Sequence, residues 1–181
     1  MNTSTRTSIL HEASKMLLIK GFHGFSLQEL ADSLSIKKSS LYHHYSSKNQ
    51  LAIELYRFYQ DAFNDWTQSC VNNTPEKAIL KYCDKLIEWI CEKNRICPLS
   101  ALSLEWAIID KDIQKEVLKL HELHQDWISS LYKKMEINIS SKEATSITLS
   151  LLQGSIQLAR LTGDHAIVRK NLKNFIKSIK K

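Results

Sequence analysis

Two groups of residues in this 181-residue chain have types and spacings that could do chemistry. The first is the run Lys37-Lys38-Ser39-Ser40-Leu41-Tyr42-His43, which gathers two cations and two hydroxyls into one helical turn, with a phenol and an imidazole just beyond. Cations, hydroxyls and unpaired backbone N–H groups at a helix start are what a phosphate or a base edge requires. The second group is His121, His124 and Cys97, the residue types of a hydrolase. The sequence His121-Glu122-Leu123-His124 sets two imidazoles one turn apart, one residue short of the H-E-x-x-H zinc pattern, and no third ligand stands out. No metal is therefore expected. No nucleophile, base and oxyanion donor stand at a recognisable spacing, so an all-α enzyme ranks second to a nucleic-acid binder, beside a helical protein-interaction module. The expectation is a protein that is not an enzyme and carries no cofactor.

The elements that must position the first group can be read around it. Ser26 is placed to cap a helix, with Glu29 three residues on to close a capping box, and Leu27, Leu30, Ala31 and Leu34 form one apolar face. Ser35 and Ile36 make a turn, and the following helix buries Leu41 and Tyr45. A helix over about Thr5 to Lys20, with Ile9, Ala13 and Leu17 inward and Gly21 as its terminator, packs behind them. This is a helix-turn-helix.

From Ile9 to Leu51 the chain resembles the TetR family of bacterial transcriptional regulators. The resemblance rests on the first helix, on Ser26-Leu27-Gln28-Glu29-Leu30-Ala31, and above all on Leu41-Tyr42-His43-His44-Tyr45 followed by Lys48 and Leu51. Two positions depart from it, since the family's turn usually has glycine where this chain has Ser35, and its recognition helix often has glycine where this chain has Ser39. Serine in a left-handed turn costs roughly 1 kcal/mol. The resemblance implies a DNA-binding head over 1–50 and a ligand-binding and dimerisation body over 51–181. It also implies a homodimer on a palindromic operator of double-stranded DNA, released by a small apolar effector or an electrophile. The DNA-binding candidates are Ser26, Gln28, Lys37, Lys38, Ser39, Ser40, Tyr42, His43 and Lys48. Lysines there give affinity and salt dependence, while Ser39, Ser40, Tyr42 and His43 are placed for close contact.

Composition agrees with an all-α class of about nine helices. Four glycines and two prolines leave little material for hairpins, and apolar residues recur at helical spacing almost throughout. No apolar run approaches the roughly 20 residues of a membrane span, and the polar start MNTSTRTS has no signal-peptide core, so a cytoplasmic, nucleoid-associated protein with no membrane partner is expected. The net charge of +6 is unevenly spread. The first 50 residues are basic, and so is the end, where Arg169, Lys170, Lys173, Lys177, Lys180 and Lys181 read as a solvated face. Four cysteines, Cys70, Cys83, Cys91 and Cys97, form no C-x-x-C pair and read as reduced and packed.

Further along, a fourth helix from about Ser47 carries Leu51, Leu55, Phe58, Ala62 and Trp66, and a break at Cys70–Pro75 leads to a stripe of Ile79, Cys83, Leu86 and Ile90. A short helix after Pro98 is expected to carry Leu102, Leu104, Trp106 and Ile109. A longer one from Asp110 places Ile113, Val117, Leu120, His124, Trp127, Leu131 and Met135 on one face. Ser140 with Glu143 opens a helix whose inner side reads as Ile147, Leu151, Ser155, Leu158 and Leu161, and Asp164 caps a last helix with Val168, Leu172, Phe175 and Ile179 inward. Polar or bulky groups on inward faces give the ligand-binding candidates: Trp66, Ile90, Cys97, Leu102, Trp106, His124, Trp127, Gln153 and Gln157. The second apolar sides of the last two helices give the dimer candidates: Leu152, Ile156, Ala159, Ile167, Leu172, Phe175 and Ile176. In Arg95-Ile96-Cys97-Pro98 the arginine and a following helix start would favour a thiolate, and the family resemblance makes Cys97 a candidate electrophile or redox sensor.

Overall fold

The computed structural model describes residues 3–181, with side chains from residue 5; the first two residues of the polar start lie outside it. Nine α-helices occupy the described residues: α1 Thr3–Lys20, α2 Leu27–Ser33, α3 Lys38–His44, α4 Lys48–Gln68, α5 Pro75–Leu86, α6 Pro98–Ala101, α7 Lys111–Tyr132, α8 Ser141–Thr162 and α9 Ala166–Ile179. A single π turn, Ile87–Cys91, extends α5. The chain divides into two compact units, one of Met1–Asn64 with Pro98–Leu120, the other of Asp65–Cys97 with His121–Lys181. Position 50 lies inside α4, and residues 98–120 belong with the first unit.

In the first unit, local rules place the helices as the sequence predicts. Gly21 ends α1 at φ +79°, and its N–H reaches the Leu17 carbonyl at 2.9 Å. The Ser26 hydroxyl accepts from the Glu29 N–H at 3.1 Å while the Glu29 carboxylate accepts from the Ser26 N–H at 2.6 Å, a complete capping box. Ser35 takes the turn at φ +54°, the left-handed conformation its position demands. Ile9, Ala13, Leu17, Leu30, Leu41 and Leu51 close the core beneath α1, α2 and α3. In the same unit Tyr56 donates to the Pro98 carbonyl at 2.9 Å, and the buried Glu116 carboxylate accepts from Gln60 at 2.9 Å and Lys119 at 2.9 Å. Those two bonds, with Arg57, hold the Glu116 carboxyl below its ordinary range although burial opposes them.

Two expectations change here. The helix after Pro98 is one turn, and Leu104 stands 97% exposed on the turns that follow it. The inner face of α4 is Leu51, Ala52, Leu55, Tyr56, Tyr59 and Phe63, with Ala62 exposed.

In the second unit, Pro75 opens α5, and α9 packs on both α5 and α8. Ser140 accepts from the Glu143 N–H at 3.1 Å to start α8, and Gly163 ends it at φ +75°. Buried hydroxyls are paired within the unit: Tyr132 with Thr148 at 2.7 Å, and Ser155 with the Asn171 amide at 3.0 Å. Arg169 pairs with Asp84 and Lys180 with Glu76, so the basic end of the chain is only in part a solvated face. A lone bridge joins Ile137 to Lys180.

Of the inner face expected for α8 only Ser155 is buried, and Leu151 is part-exposed. Ala144, Thr148, Leu152, Ile156 and Ala159 are buried, whereas Ile147 is 39%, Leu158 47% and Leu161 83% exposed. Small and β-branched side chains let α9 approach closely, and the longer stripe of Ile147, Leu158 and Leu161 is left outward. Leu152, Ile156, Ala159, Leu172 and Ile176 are thus already inside the chain's own core and have no surface left for a second copy. On α9, Phe175 is part-exposed and Ile176 takes the inward place assigned to it. Met135 lies beyond the end of α7.

Candidate functional site

Helix α3 is only seven residues long, and Leu41 and the following Tyr45 fasten it inward. Everything around them at its start and on its outer side faces out: Lys37, Lys38, Ser39, Ser40, Tyr42 and His43 are all exposed. Its N-cap, Lys37, makes no side-chain cap, so the first-turn N–H groups stand uncapped among two ammonium groups and two hydroxyls. The Lys38 ammonium lies 5.8 Å from the centre of the Tyr42 ring, one turn on, which joins cation and phenol into one surface. Ser26 and Gln28 are exposed on α2, but the Ser26 hydroxyl is held by its cap and Gln28 donates to Asp32 at 2.7 Å.

Lys48 is the exception among the DNA-binding candidates. Its ammonium turns inward, donating to the carbonyls of Phe22 and Phe25, and it lies 4.8 and 4.2 Å from the centres of their rings. Partial burial lowers its pKa, while Glu105 and Glu29 act in the other direction. A side chain so engaged fixes the loop between α1 and α2; it is not free for a phosphate. The sequence offers no local signal for this, because the partners lie 23 and 26 residues away.

The ligand-binding candidates are divided. Leu102 and Trp106 belong to the first unit, where Leu102 is fully buried and the Trp106 carbonyl accepts from Gln114 at 2.6 Å. The rest belong to the second unit, and there Trp66, His124 and Trp127 come together around a residue the sequence reading missed, Tyr82. The Trp66 and Trp127 rings are 5.3 Å apart, Tyr82 is 5.9 and 5.8 Å from them, and its hydroxyl meets His124 Nδ1 at 2.6 Å. Burial, with His121 adding to it, lowers the His124 pKa to about 3, so its ring is neutral near pH 7. Burial likewise raises the Tyr82 phenol, with Cys97 and Cys83 contributing. A neutral imidazole beside a protonated phenol offers hydrogen bonds without charge. Tyr82 follows Ile79 by three residues on an apolar face, and that is the signal by which it could have been found.

Cys97 is 3% exposed, and its sulfur accepts from the Gln153 amide at 3.3 Å. Ile90 is fully buried in the same unit, while Gln157 is exposed and does not join the group. Arg95 lies 5.8 Å from the Trp89 ring centre, and the helix after Cys97 is a single turn. The thiols of Cys83 and Cys91 are ordinary buried ones, Cys83 being pushed up to about 12 by burial and Cys91 also raised by it. His121 is exposed, and no group of three or more His, Cys, Asp or Glu side chains among the described residues could hold a metal ion.

Residues 9–55 match the family model of bacterial regulatory proteins, tetR family. The HTH-type transcriptional regulator LmrA of Bacillus subtilis is 24% identical over 166 residues, covering 86% of each chain. The HTH-type transcriptional repressor NemR of Escherichia coli is 26% identical over 121 residues, 64% of this chain and 60% of NemR. Among solved structures, a TetR transcriptional regulator from Legionella pneumophila superposes with a TM-score of 0.90 over 99% of this chain and 98% of that one, at 24% identity. Reduced NemR superposes with a TM-score of 0.84 over 97% of each chain, at 18% identity. An uncapped, outward-facing α3 held on a capped α2 thus lies within the stretch that matches the tetR-family model, 9–55, and the chain shares the fold of a TetR transcriptional regulator over nearly its whole length.

Proposed function

We propose that the protein is a cytoplasmic repressor that binds a palindromic operator as a homodimer and leaves it when a small, mostly apolar effector or an electrophile engages the second unit. The observation that carries the DNA-binding part is the exposed Lys37-Lys38-Ser39-Ser40 start of α3, with Tyr42 and His43 beyond it. The lysines would neutralise phosphates, and the hydroxyls, phenol and imidazole would meet base edges or close backbone. A helix-turn-helix gains affinity by pairing, because two modules on a two-fold axis read half-sites about 34–36 Å apart.

The surface for pairing is the outward flank of α8 and α9. Ile147, Leu158 and Leu161 remain open on α8, with Leu151 part-exposed, and Ile167 and Phe175 are part-exposed on α9. Gly154 lies on the same flank of α8, and a Cβ added there would meet nothing within 4 Å, which permits close approach of a second helix. The effector reading is supported by the neutral polar pair Tyr82–His124 inside an aromatic group. It suits an uncharged or weakly polar ligand, whose leverage would equal its affinity difference between the bound and released states. The electrophile reading is supported by the Cys97–Gln153 contact and by likeness to NemR, itself named a repressor and solved in a reduced form.

The test is fluorescence anisotropy of the purified protein on duplexes tiled across the DNA flanking its own gene, at two salt concentrations. Tight binding to one near-palindromic tile that weakens steeply with salt is the expected result. Equal, weak binding to every tile, repeated in a selection from genomic fragments, would refute the operator reading. Thiol reagents added to the specific complex should release it, and Cys97→Ser should abolish that release.

A further inference from the structure

The loop Gly21–Phe25, which leads from α1 into α2, is held from two sides. From one side the Lys48 ammonium binds the carbonyls of Phe22 and Phe25 between their rings. From the other comes a single carboxylate, Glu105, from the turns that follow α6, within the same unit. Its Oε1 accepts from the His23 backbone N–H at 3.3 Å, and its Oε2 lies 3.1 Å from His23 Nδ1. The ring meets Oε2 off the hydrogen-bond line, and among the described residues Oε2 is buried with no hydrogen-bond donor. Glu105 also lies close enough to act on the Lys48 charge. Gly21 marks how near the carboxylate comes: a Cβ there would stand 3.1 Å from Oε1, on a backbone already at φ +79°.

We infer that Glu105 is a positioning residue for DNA binding, fixing the α1–α2 loop through the His23 backbone and ring and thereby the setting of α2 and α3. Phe22 and Phe25 are both buried, so the loop cannot shift without disturbing the core of its unit, and the α2 that it leads into packs directly on α3. Glu105 stands 82 residues beyond His23 in the chain and would be irrelevant to a helix-turn-helix read as a local motif. It matters because its negative charge answers an imidazole, an ammonium group and one N–H around the loop. The inference rests on α3 being the DNA-reading helix.

The experiment compares full-length wild type, Glu105→Ala, Glu105→Gln, His23→Ala and the Glu105→Ala/His23→Ala double variant. Two readouts are taken: amide hydrogen exchange over residues 21–44, and affinity for the tile that wild type binds. Glu105→Ala is expected to speed exchange at His23 and across α2 and α3, and to lower affinity about tenfold with little change in overall melting. Glu105→Gln, which keeps an acceptor for the His23 N–H, should recover part of both effects. The double variant should be little worse than Glu105→Ala alone, because the two side chains act as one unit. Exchange and affinity unchanged in Glu105→Ala would overturn the inference, as would independent, additive effects of the two substitutions. Should Glu105→Ala fail to fold, Glu105→Gln decides: exchange and affinity equal to wild type would mean that the charge positions nothing. If wild type binds no tile, the operator reading fails, and exchange at residues 21–44 still tests the loop by itself.

Discussion

Helix α3 and the interior of the second unit treat polar side chains in opposite ways. On α3 the lysines, serines, phenol and imidazole are exposed, and Lys38 over Tyr42 is a contact made within the surface itself. In the second unit Tyr82 with His124, Tyr132 with Thr148, and Ser155 with Asn171 are closed pairs in the interior. Water satisfies the first set until a partner with matching donors and acceptors replaces it. The second set has no such option, so each member depends on the other. Substitution on α3 should therefore change binding and leave folding alone, whereas substitution in the interior should change folding first.

The sharpest way to break this contrast is Lys38→Ala with Tyr42→Ala. Operator affinity should fall by at least about a hundredfold with the melting temperature unchanged, because neither side chain is buried. An unaltered affinity would remove α3 from the interface. Next in size, Tyr82→Phe deletes the hydroxyl that meets His124 Nδ1 in the interior, at a cost of about 1–3 kcal/mol in denaturant unfolding. A third test uses pH. Folded His124 takes up its proton only near about 3, whereas the unfolded chain does so near 6.5, so the unfolded state binds more protons between these values. Stability is then complete above roughly 6.5 and declines as pH falls, by about 2 kcal/mol at about pH 5. His124→Gln should flatten that slope; an equally steep slope in the variant would assign it to other groups. The smallest effect is Ser35→Gly, which relieves a left-handed serine and should add about 1 kcal/mol without altering DNA affinity.

What the sequence made legible follows the range of the forces involved. Ser26 with Glu29, Gly21, Ser35 and Gly163 act on backbone within a few residues, and each sits in the structure as its position predicts. His124 could be singled out because one polar ring interrupts an apolar stripe; its partner, 42 residues away, could not. The orientation of α8 was hidden for a related reason. Both of its flanks are apolar, and only the fit of Ala144, Thr148 and Ala159 within the core decides which one turns in. Lys48 has the type and position of a phosphate ligand, and the carbonyls of Phe22 and Phe25 claim it instead.

The π turn at Ile87–Cys91 bears on how this chain tolerates change in length. A π turn holds one residue more than an α-helix needs over the same span. Ile90 and Cys91 are nevertheless buried, so the surplus is absorbed on the more exposed side, at Ile87, Glu88 and Trp89. Removing Glu88 alone should let the backbone close to α-helical pitch while the apolar residues on either side keep their places. In a library of single-residue deletions, survivors should cluster at this turn, and helices without it, such as α7, should be intolerant along their length.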